Sequence, residues 1–197
     1  KARKEFGYGD NDLVVGFVGR FSPGKGHEEL LSAAAILSSK RPGVRFLVVG
    51  EASYGEEAYE KQIKAMAEQL GLGARMTFAG FRTDVPHIMS AFDILAFPSH
   101  AESFGVVLIE AMAIELPVVS TNCDGVIDIV VDSETGIFVR PREAEEFAAA
   151  LLRLIDDPPL RLRLGTAGRK RVLDLFDQRR QVDRLEEIYR SLIAGHA

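Results

Sequence analysis

The chain has 197 residues, enough for one domain with a substantial hydrophobic core. Hydrophobic residues make up 47% of the chain and charged residues 27%, a globular composition that excludes collagen-like, low-complexity and disordered proteins. The formal net charge is −5, so the chain lacks the overall positive charge that is typical of nucleic-acid-binding proteins. We therefore expect no nucleic acid as a partner.

Apolar, β-rich runs alternate with helical segments from one end of the chain to the other. The predicted strands are residues 13–18, 45–50, 75–80, 93–98, 117–121 and 136–139. The predicted helices are residues 27–39, 56–70, 104–115, 148–155, 160–175 and 178–193. Strands that are apolar on both faces and separated by helices are typical of βαβ units. The pattern predicts an α/β, Rossmann-like, doubly wound and mainly parallel six-stranded sheet, with helices on both faces and extra C-terminal helices.

We find no Gly/Ser linker and no internal repeat, so the sequence predicts a single domain over residues 1–197. Its core is expected over about residues 13–156 and the C-terminal helices over about 157–195. In open α/β sheets ligands bind beyond the carboxyl ends of the strands, so the loops after the strands are the places to look for a site.

The loop after the first predicted strand runs from Gly19 to Gly26 and leads into a helix. Glycines let a ligand approach the backbone, and the start of a helix offers free N–H groups and a positive dipole end to an anion. Arg20 and Lys25 add two cations. The Gly19-x4-Gly24-Lys25 spacing also matches a Walker A loop of a P-loop-like NTPase, although Gly26 stands where that motif has Ser or Thr. A tight turn with solvated cations is a third interpretation and needs no ligand.

The loop after the fourth predicted strand places Glu102 ahead of a helix, with Ser103 as its expected N-cap and Glu110 about two turns into it. The helix is apolar on nearly every face and is therefore expected to be buried, where an unpaired carboxylate costs several kcal/mol. Glu110 then needs donors, either from a protein arginine or from the two hydroxyls of a ligand diol. Eight helical residues rise about 12 Å, so Glu102 and Glu110 are expected to reach two ends of one ligand. A sugar, a diphosphate and a ribose fit that span.

These residues resemble the C-terminal, donor-binding half of retaining GT-B glycosyltransferases of family 4, also called glycosyl transferases group 1. Glu102 and Glu110 have the spacing of the family's E-x7-E pattern, and Arg20 and Lys25 match its first loop. Further matching segments are residues 80–82, 91–94, 98–99, 102–105, 117–119 and 134–139. The resemblance covers about residues 13–193. It implies one half of a GT-B fold, with the N-terminal acceptor domain absent from this chain.

The resemblance implies a UDP-, GDP- or ADP-linked sugar as the donor substrate, with no metal and no other cofactor. Arg20 and Lys25 would hold the diphosphate and Glu102 the transferred sugar, and these three form the expected catalytic set. Glu110 would bind the ribose hydroxyls. The remaining expected donor contacts are Gly19, Arg82, Phe104, Gly105 and Val106. Arg82 would contact the base, with a solvated surface cation as the alternative.

Transfer with retention of configuration is implied, to an acceptor that is a glycan, a lipid-linked glycan or a small molecule held by the missing domain. In this interpretation Glu102 positions the sugar and is not a hydrolase-like acid or nucleophile. A non-catalytic nucleotide-binding module with the same fold is a further alternative.

The sequence departs from the family pattern in the loop after the fifth predicted strand. Asp124 stands where the family usually has the first glycine of a pair, and Asp128 stands in place of a glutamate. An altered donor preference is one expectation from this loop. Cys123, the single cysteine, is expected to be a small buried residue, because no basic neighbour lowers the pKa of its thiol.

The chain has no apolar run of the roughly 20 residues needed to span a bilayer and no signal-peptide pattern, which predicts a cytoplasmic location. Residues 161–190 hold nine Lys or Arg against five Asp or Glu. A solvated helical face accounts for this excess, and peripheral contact with an anionic membrane is the other interpretation.

Overall fold

A computed structural model of the chain, which describes residues 1–194, contains one six-stranded sheet in the order β3-β2-β1-β4-β5-β6. The strands are β1 (Leu13–Val18), β2 (Val44–Val49), β3 (Met76–Phe78), β4 (Ile94–Phe97), β5 (Val118–Thr121) and β6 (Ile137–Val139). All five neighbouring pairs are parallel. The predicted Rossmann-like parallel sheet is confirmed, with each strand within two residues of its predicted ends.

Helices connect the strands and extend beyond them. They are α1 (Ala2–Glu5), α2 (His27–Lys40), α3 (Glu57–Gln69), α4 (Val85–Met89), α5 (Val106–Ala113), α6 (Val126–Ile129), α7 (Ala144–Asp156), α8 (Pro158–Leu175) and α9 (Gln178–Ala194). The sequence pattern does not predict α1, α4 and α6, because four or five residues are too few to show helical periodicity. Residue 195, the last one expected in the C-terminal helices, lies outside the described residues.

The helices bury apolar side chains on both faces of the sheet, as a doubly wound fold requires. One core cluster includes side chains of α2, α3 and α7 packed on β1 and β2, with Phe46 and Phe147 among its largest fully buried members. The cluster on the other face includes side chains of α4, α5 and α6. Helix α8 connects the two, because Leu164 belongs to the first cluster and Val172 to the second.

The strand order reverses between β1 and β4, which lie side by side in the middle of the sheet. At such a switch point the two following connections run to opposite faces and leave a crevice at the carboxyl edge. The two loops that the sequence singles out follow these two strands. The fold therefore brings both candidate loops to one place.

Helix α9 has no buried residue, and its apolar side chains from Val182 to Ile193 are exposed. Most of the cationic side chains of residues 161–190 are likewise exposed, which agrees with a solvated helical face. Within residues 1–194, no helix has both the length and the apolar character needed to span a membrane.

Substitution of Gly165 tests how closely α8 packs beside α5. An added Cβ would lie 2.0 Å from the Glu115 carbonyl oxygen, whereas at Gly168, one turn later, it would lie 3.3 Å from the flexible Met112 side chain. We expect Gly165→Ala to lower the free energy of unfolding by about 1–3 kcal/mol, because a backbone must move. Gly168→Ala should change it by less than about 1 kcal/mol, because alanine favours the helix and Met112 can rotate. Urea denaturation measures both, and equal effects would contradict this packing.

Candidate functional site

Two cavities meet at the carboxyl edge of the sheet and share Val18, Gly19 and Arg20. The outer cavity, of about 530 Å³, lies beyond β1, β2 and β3. Its other lining residues are Val49, Gly50, Glu51, Ala52, Ser53, Tyr54, Phe81, Arg82 and Val85. The central cavity, of about 300 Å³, lies beyond β1 and β4. Its other lining residues are Phe17, Lys25, Phe97, Ser99, Glu102, Ser103, Phe104, Gly105, Val106 and Val107.

The central cavity brings together most of the residues predicted to bind the ligand. Lys25 Nζ lies 2.7 Å from Glu102 Oε2, and the two side chains are only 24% and 17% exposed. Arg20 stands at the rim that joins the cavities and donates from Nη1 to Ser53 Oγ at 3.1 Å. The ammonium group of Lys25, on the loop after β1, is therefore neutralised by the carboxylate of Glu102, on the loop after β4.

The first loop lies directly on the end of β4. Gly26 has a φ of +80°, and an added Cβ would stand 2.1 Å from the carbonyl oxygen of Pro98. The Gly24 carbonyl also accepts a hydrogen bond of 2.8 Å from the His100 N–H. A Ser or Thr at position 26 would collide with Pro98, so the geometry argues against the P-loop-like NTPase.

The N-terminus of α5 faces the central cavity. The helix begins at Val106, and its N-cap is Gly105 with a φ of +88° and no side-chain cap. The prediction of Ser103 as the N-cap is wrong, because the left-handed turn at Gly105 delays the start of the helix. The exposed side chains of Phe104 and Val106 line the cavity beside the first free N–H groups of the helix.

Glu110 lies just over one turn into α5, and not two, because the helix starts later than predicted. Its side chain is partly buried and lines neither cavity, and burial raises the pKa of its carboxyl group. Within residues 1–194 it makes no side-chain hydrogen bond or ion pair, so no protein arginine supplies the expected donors. Solvent reaches its carboxylate, since neither oxygen of Glu110 is fully buried.

Arg82 lines the outer cavity, but protein carboxylates hold its guanidinium group. Its Nε lies 2.8 Å from Asp84 Oδ1 and its Nη1 lies 2.7 Å from Glu5 Oε1. The guanidinium lowers the pKa of Asp84 to about 2. Two exposed aromatic side chains that the sequence reasoning missed, Tyr54 and Phe81, also line this cavity. Their exposure depends on where the loops after β2 and β3 lie, which no local sequence pattern reveals.

Two histidines support the loops without entering either cavity. His27, the first residue of α2, is 1% exposed and lies between the rings of Phe17 and Phe21, at centroid distances of 4.6 and 4.4 Å. His100 Nε2 lies 2.9 Å from Glu29 Oε1. His27 therefore anchors the start of α2 among aromatic side chains, and His100 connects the loop after β4 to Glu29 of α2.

The comparisons with known proteins agree on one family. The family model of glycosyl transferases group 1 matches residues 1–171. The chain is 37% identical, over its whole length, to a D-inositol 3-phosphate glycosyltransferase of Segniliparus rotundus. The match spans 44% of that relative, so the chain has less than half of its length.

Two solved structures have the same fold. HepE from Anabaena, in complex with UDP and glucose, is 32% identical with a TM-score of 0.89, covering 96% of this chain and 50% of HepE. The C-terminal domain of a group 1 glycosyl transferase, LpcC of Francisella tularensis, is 31% identical with a TM-score of 0.79, covering 84% of this chain and 87% of that domain. The predicted half of a GT-B fold is therefore confirmed.

His27 makes the stability of the domain depend on pH. Burial lowers the pKa of His27 from 6.5 to about 4. The unfolded chain therefore takes up a proton before the folded one does, and stability is lost as the pH falls from about 6.5 towards 4. We expect this to cost about 2 kcal/mol between pH 7 and pH 5.

Urea denaturation of His27→Leu at pH 7 and pH 5 checks this, because the variant should lose most of that pH dependence. The control is His87→Gln on α4, where the histidine side chain is 41% exposed. A wild-type pH dependence that persists in His27→Leu would contradict the assignment to His27.

Proposed function

Because the chain belongs to glycosyl transferases group 1, we propose that it is the donor-binding half of an enzyme that transfers a sugar from a nucleotide-sugar to an acceptor, with retention of configuration. The observation that carries this proposal is the Lys25–Glu102 pair of 2.7 Å beside the N-terminus of α5. A cation, a carboxylate and free N–H groups at one crevice match a diphosphate linked to a sugar.

In this proposal the diphosphate occupies the rim between the cavities. Departure of a nucleoside diphosphate leaves negative charge on its phosphate oxygens, and fixed cations with a helix N-terminus stabilise that charge without a metal. Arg20 and Lys25 provide the cations, and Gly19 lets the phosphates approach the backbone. Phe104, Gly105 and Val106 present N–H groups from the opposite side.

Glu102 changes partners when the donor binds. Lys25 turns to the diphosphate, and the released Glu102 carboxylate accepts hydrogen bonds from hydroxyls of the transferred sugar. Retention follows if the acceptor attacks from the face that the diphosphate leaves, with a phosphate oxygen taking the acceptor's proton. Glu102 then orients the sugar and forms no covalent intermediate. The anomeric configuration of the product, read by proton NMR for an enzyme in which this domain is joined to an acceptor-binding domain, checks this assignment.

The outer cavity receives the nucleoside. Tyr54 and Phe81 offer aromatic faces on its lining, and Arg82, held by Asp84 and Glu5, supplies a fixed wall beside the base. Glu110 lies one turn after Val106 of the central cavity, and in this proposal its side chain turns from its present position, which lines neither cavity, to bond the ribose hydroxyls. The UDP bound by HepE makes a uridine nucleotide the first choice, with GDP and ADP as the other two.

In this proposal a further domain holds the acceptor, since the relatives are about twice as long as this chain. We accordingly propose that the domain over residues 1–197 binds the donor but performs little or no transfer alone. A cytoplasmic enzyme, in contact with a membrane where the acceptor is lipid-linked, suits the exposed cationic side chains of residues 161–190.

The two members of the Lys25–Glu102 pair should affect nucleotide binding in opposite directions. We expect Lys25→Met to weaken UDP binding by about 10- to 100-fold, because a charge-assisted phosphate contact is lost. Glu102→Gln should strengthen UDP binding by about two- to fivefold, because no carboxylate competes for Lys25. Isothermal titration calorimetry with UDP, GDP and ADP, each in EDTA, measures both changes and identifies the base.

Matched controls are Lys61→Met and Glu134→Gln, at exposed positions outside both cavities. Weaker UDP binding in both Lys25→Met and Glu102→Gln would show that the pair only supports the loops. Absence of all nucleotide binding by the wild-type chain would leave a protein-interaction module as the better interpretation.

If Glu110 binds the ribose hydroxyls, the chain should bind a nucleotide that lacks one of them less tightly. A site that bonds a hydroxyl rejects the analogue that lacks it, because a buried polar group is then left without a partner. We expect the wild-type chain to bind UDP about 10- to 100-fold more tightly than 2′-deoxy-UDP. Glu110→Gln should reduce this ratio severalfold by weakening UDP alone. A ratio near one in the wild-type chain, measured in the same titrations, would contradict the assignment.

A further inference from the structure

The loop after β5 holds the backbone of Glu102 from two sides. Asp124 Oδ2 accepts a hydrogen bond of 3.1 Å from the Glu102 N–H. The next residue, Gly125, donates from its own N–H to the Glu102 carbonyl at 3.0 Å. Both peptide groups that flank the Glu102 side chain are therefore fixed by two consecutive residues of a neighbouring loop.

The two loops also touch backbone to backbone. An added Cβ on Gly125 would lie 2.2 Å from the Ser103 carbonyl oxygen. Deeper in the same contact, the buried Thr121 hydroxyl donates to the carbonyl of Ser99. These contacts leave the segment that bears Glu102 little room to move. A displacement of the loop after β5 therefore displaces this segment as well.

Asp124 occupies a backbone conformation that an aspartate adopts at a cost. Its φ is +37°, a left-handed value in which a glycine would be unstrained. The carboxylate, however, supplies the acceptor for the Glu102 N–H, which a glycine lacks. That hydrogen bond to the Glu102 N–H offsets the cost of the left-handed backbone at Asp124.

We infer that Asp124 is a positioning residue that sets the direction of the Glu102 carboxylate and so determines how well the donor sugar is recognised. It also occupies the Glu102 N–H, which is then not available to the ligand. The inference rests on the proposed function, because it deepens the role given there to Glu102. It concerns the sugar and not the nucleoside, because Asp124 bonds the backbone of Glu102, to which the sugar is assigned, and does not line the outer cavity assigned to the nucleoside.

The experiment compares the affinities for UDP and UDP-glucose in Asp124→Gly, Asp124→Asn and the wild-type chain. Asp124→Gly removes the acceptor, and we expect it to weaken UDP-glucose about fivefold while UDP changes less than twofold. Asp124→Asn keeps an acceptor oxygen and should restore most of the sugar affinity. Asp183→Asn, at an exposed position of helix α9 that lines neither cavity, is the control and should leave both affinities unchanged.

A second measurement works without ligand. The amide proton of Glu102 should shift and exchange faster in Asp124→Gly and stay close to its wild-type position in Asp124→Asn, as seen by NMR. Equal weakening of UDP and UDP-glucose in Asp124→Gly, or an unmoved Glu102 amide, would overturn the role of Asp124 and leave the proposed function intact. A wild-type chain that binds neither UDP nor UDP-glucose would count against both the proposed function and this role.

Discussion

The close contact between neighbouring loops at the carboxyl edge is the constraint on which the site depends. Gly26 lies against Pro98, and Gly125 lies against Ser103, at distances that leave no room for a Cβ atom. Backbones that approach this closely cannot adjust independently, because any shift of one loop displaces the next. The positions of Lys25 and Glu102 are therefore set by backbone packing before either side chain contributes.

The closely packed loops hold the charged side chains of the site. Lys25 and Glu102 neutralise each other at 2.7 Å in a partly buried crevice, where the desolvation of either charge alone would be unfavourable. Arg20 at the exposed rim needs no such partner, and Glu110 has none in the described residues. The Lys25–Glu102 ion pair offsets that desolvation cost. In the proposed function, an anionic ligand that takes over Lys25 at the same time releases Glu102, which couples binding of the phosphate to recognition of the sugar.

Much of the fold could be predicted from the sequence because the strands are continuous apolar runs, buried on both faces. The Gly19 to Gly26 loop and the Glu102–Glu110 spacing also identified the two loops of the site, since both signals are local. The features that the sequence does not predict depend on one backbone angle or on distant residues. Ser103 has the chemistry of an N-cap, but the left-handed Gly105 starts α5 two residues later. The partners of Arg82 are Asp84 and Glu5, and Glu5 is 77 positions away in the chain.

Strained backbone in the loops after β5 and β6 accompanies hydrogen bonds to the loop after β4. Among residues 1–194, four residues other than glycine have positive φ, and two of them, Asp124 and Arg142, follow strands at the carboxyl edge. Asp124 accepts from the Glu102 N–H, and Arg142 Nε lies 3.4 Å from His100 Nδ1. Both strained residues therefore direct their side chains to the same short segment, residues 100–102. Groups that must face a developing charge act best when they are already held in place, since no reorganisation is then needed during the reaction. The hydrogen bonds that Asp124 and Arg142 make, and not the strain of their backbones, hold the segment that bears Glu102.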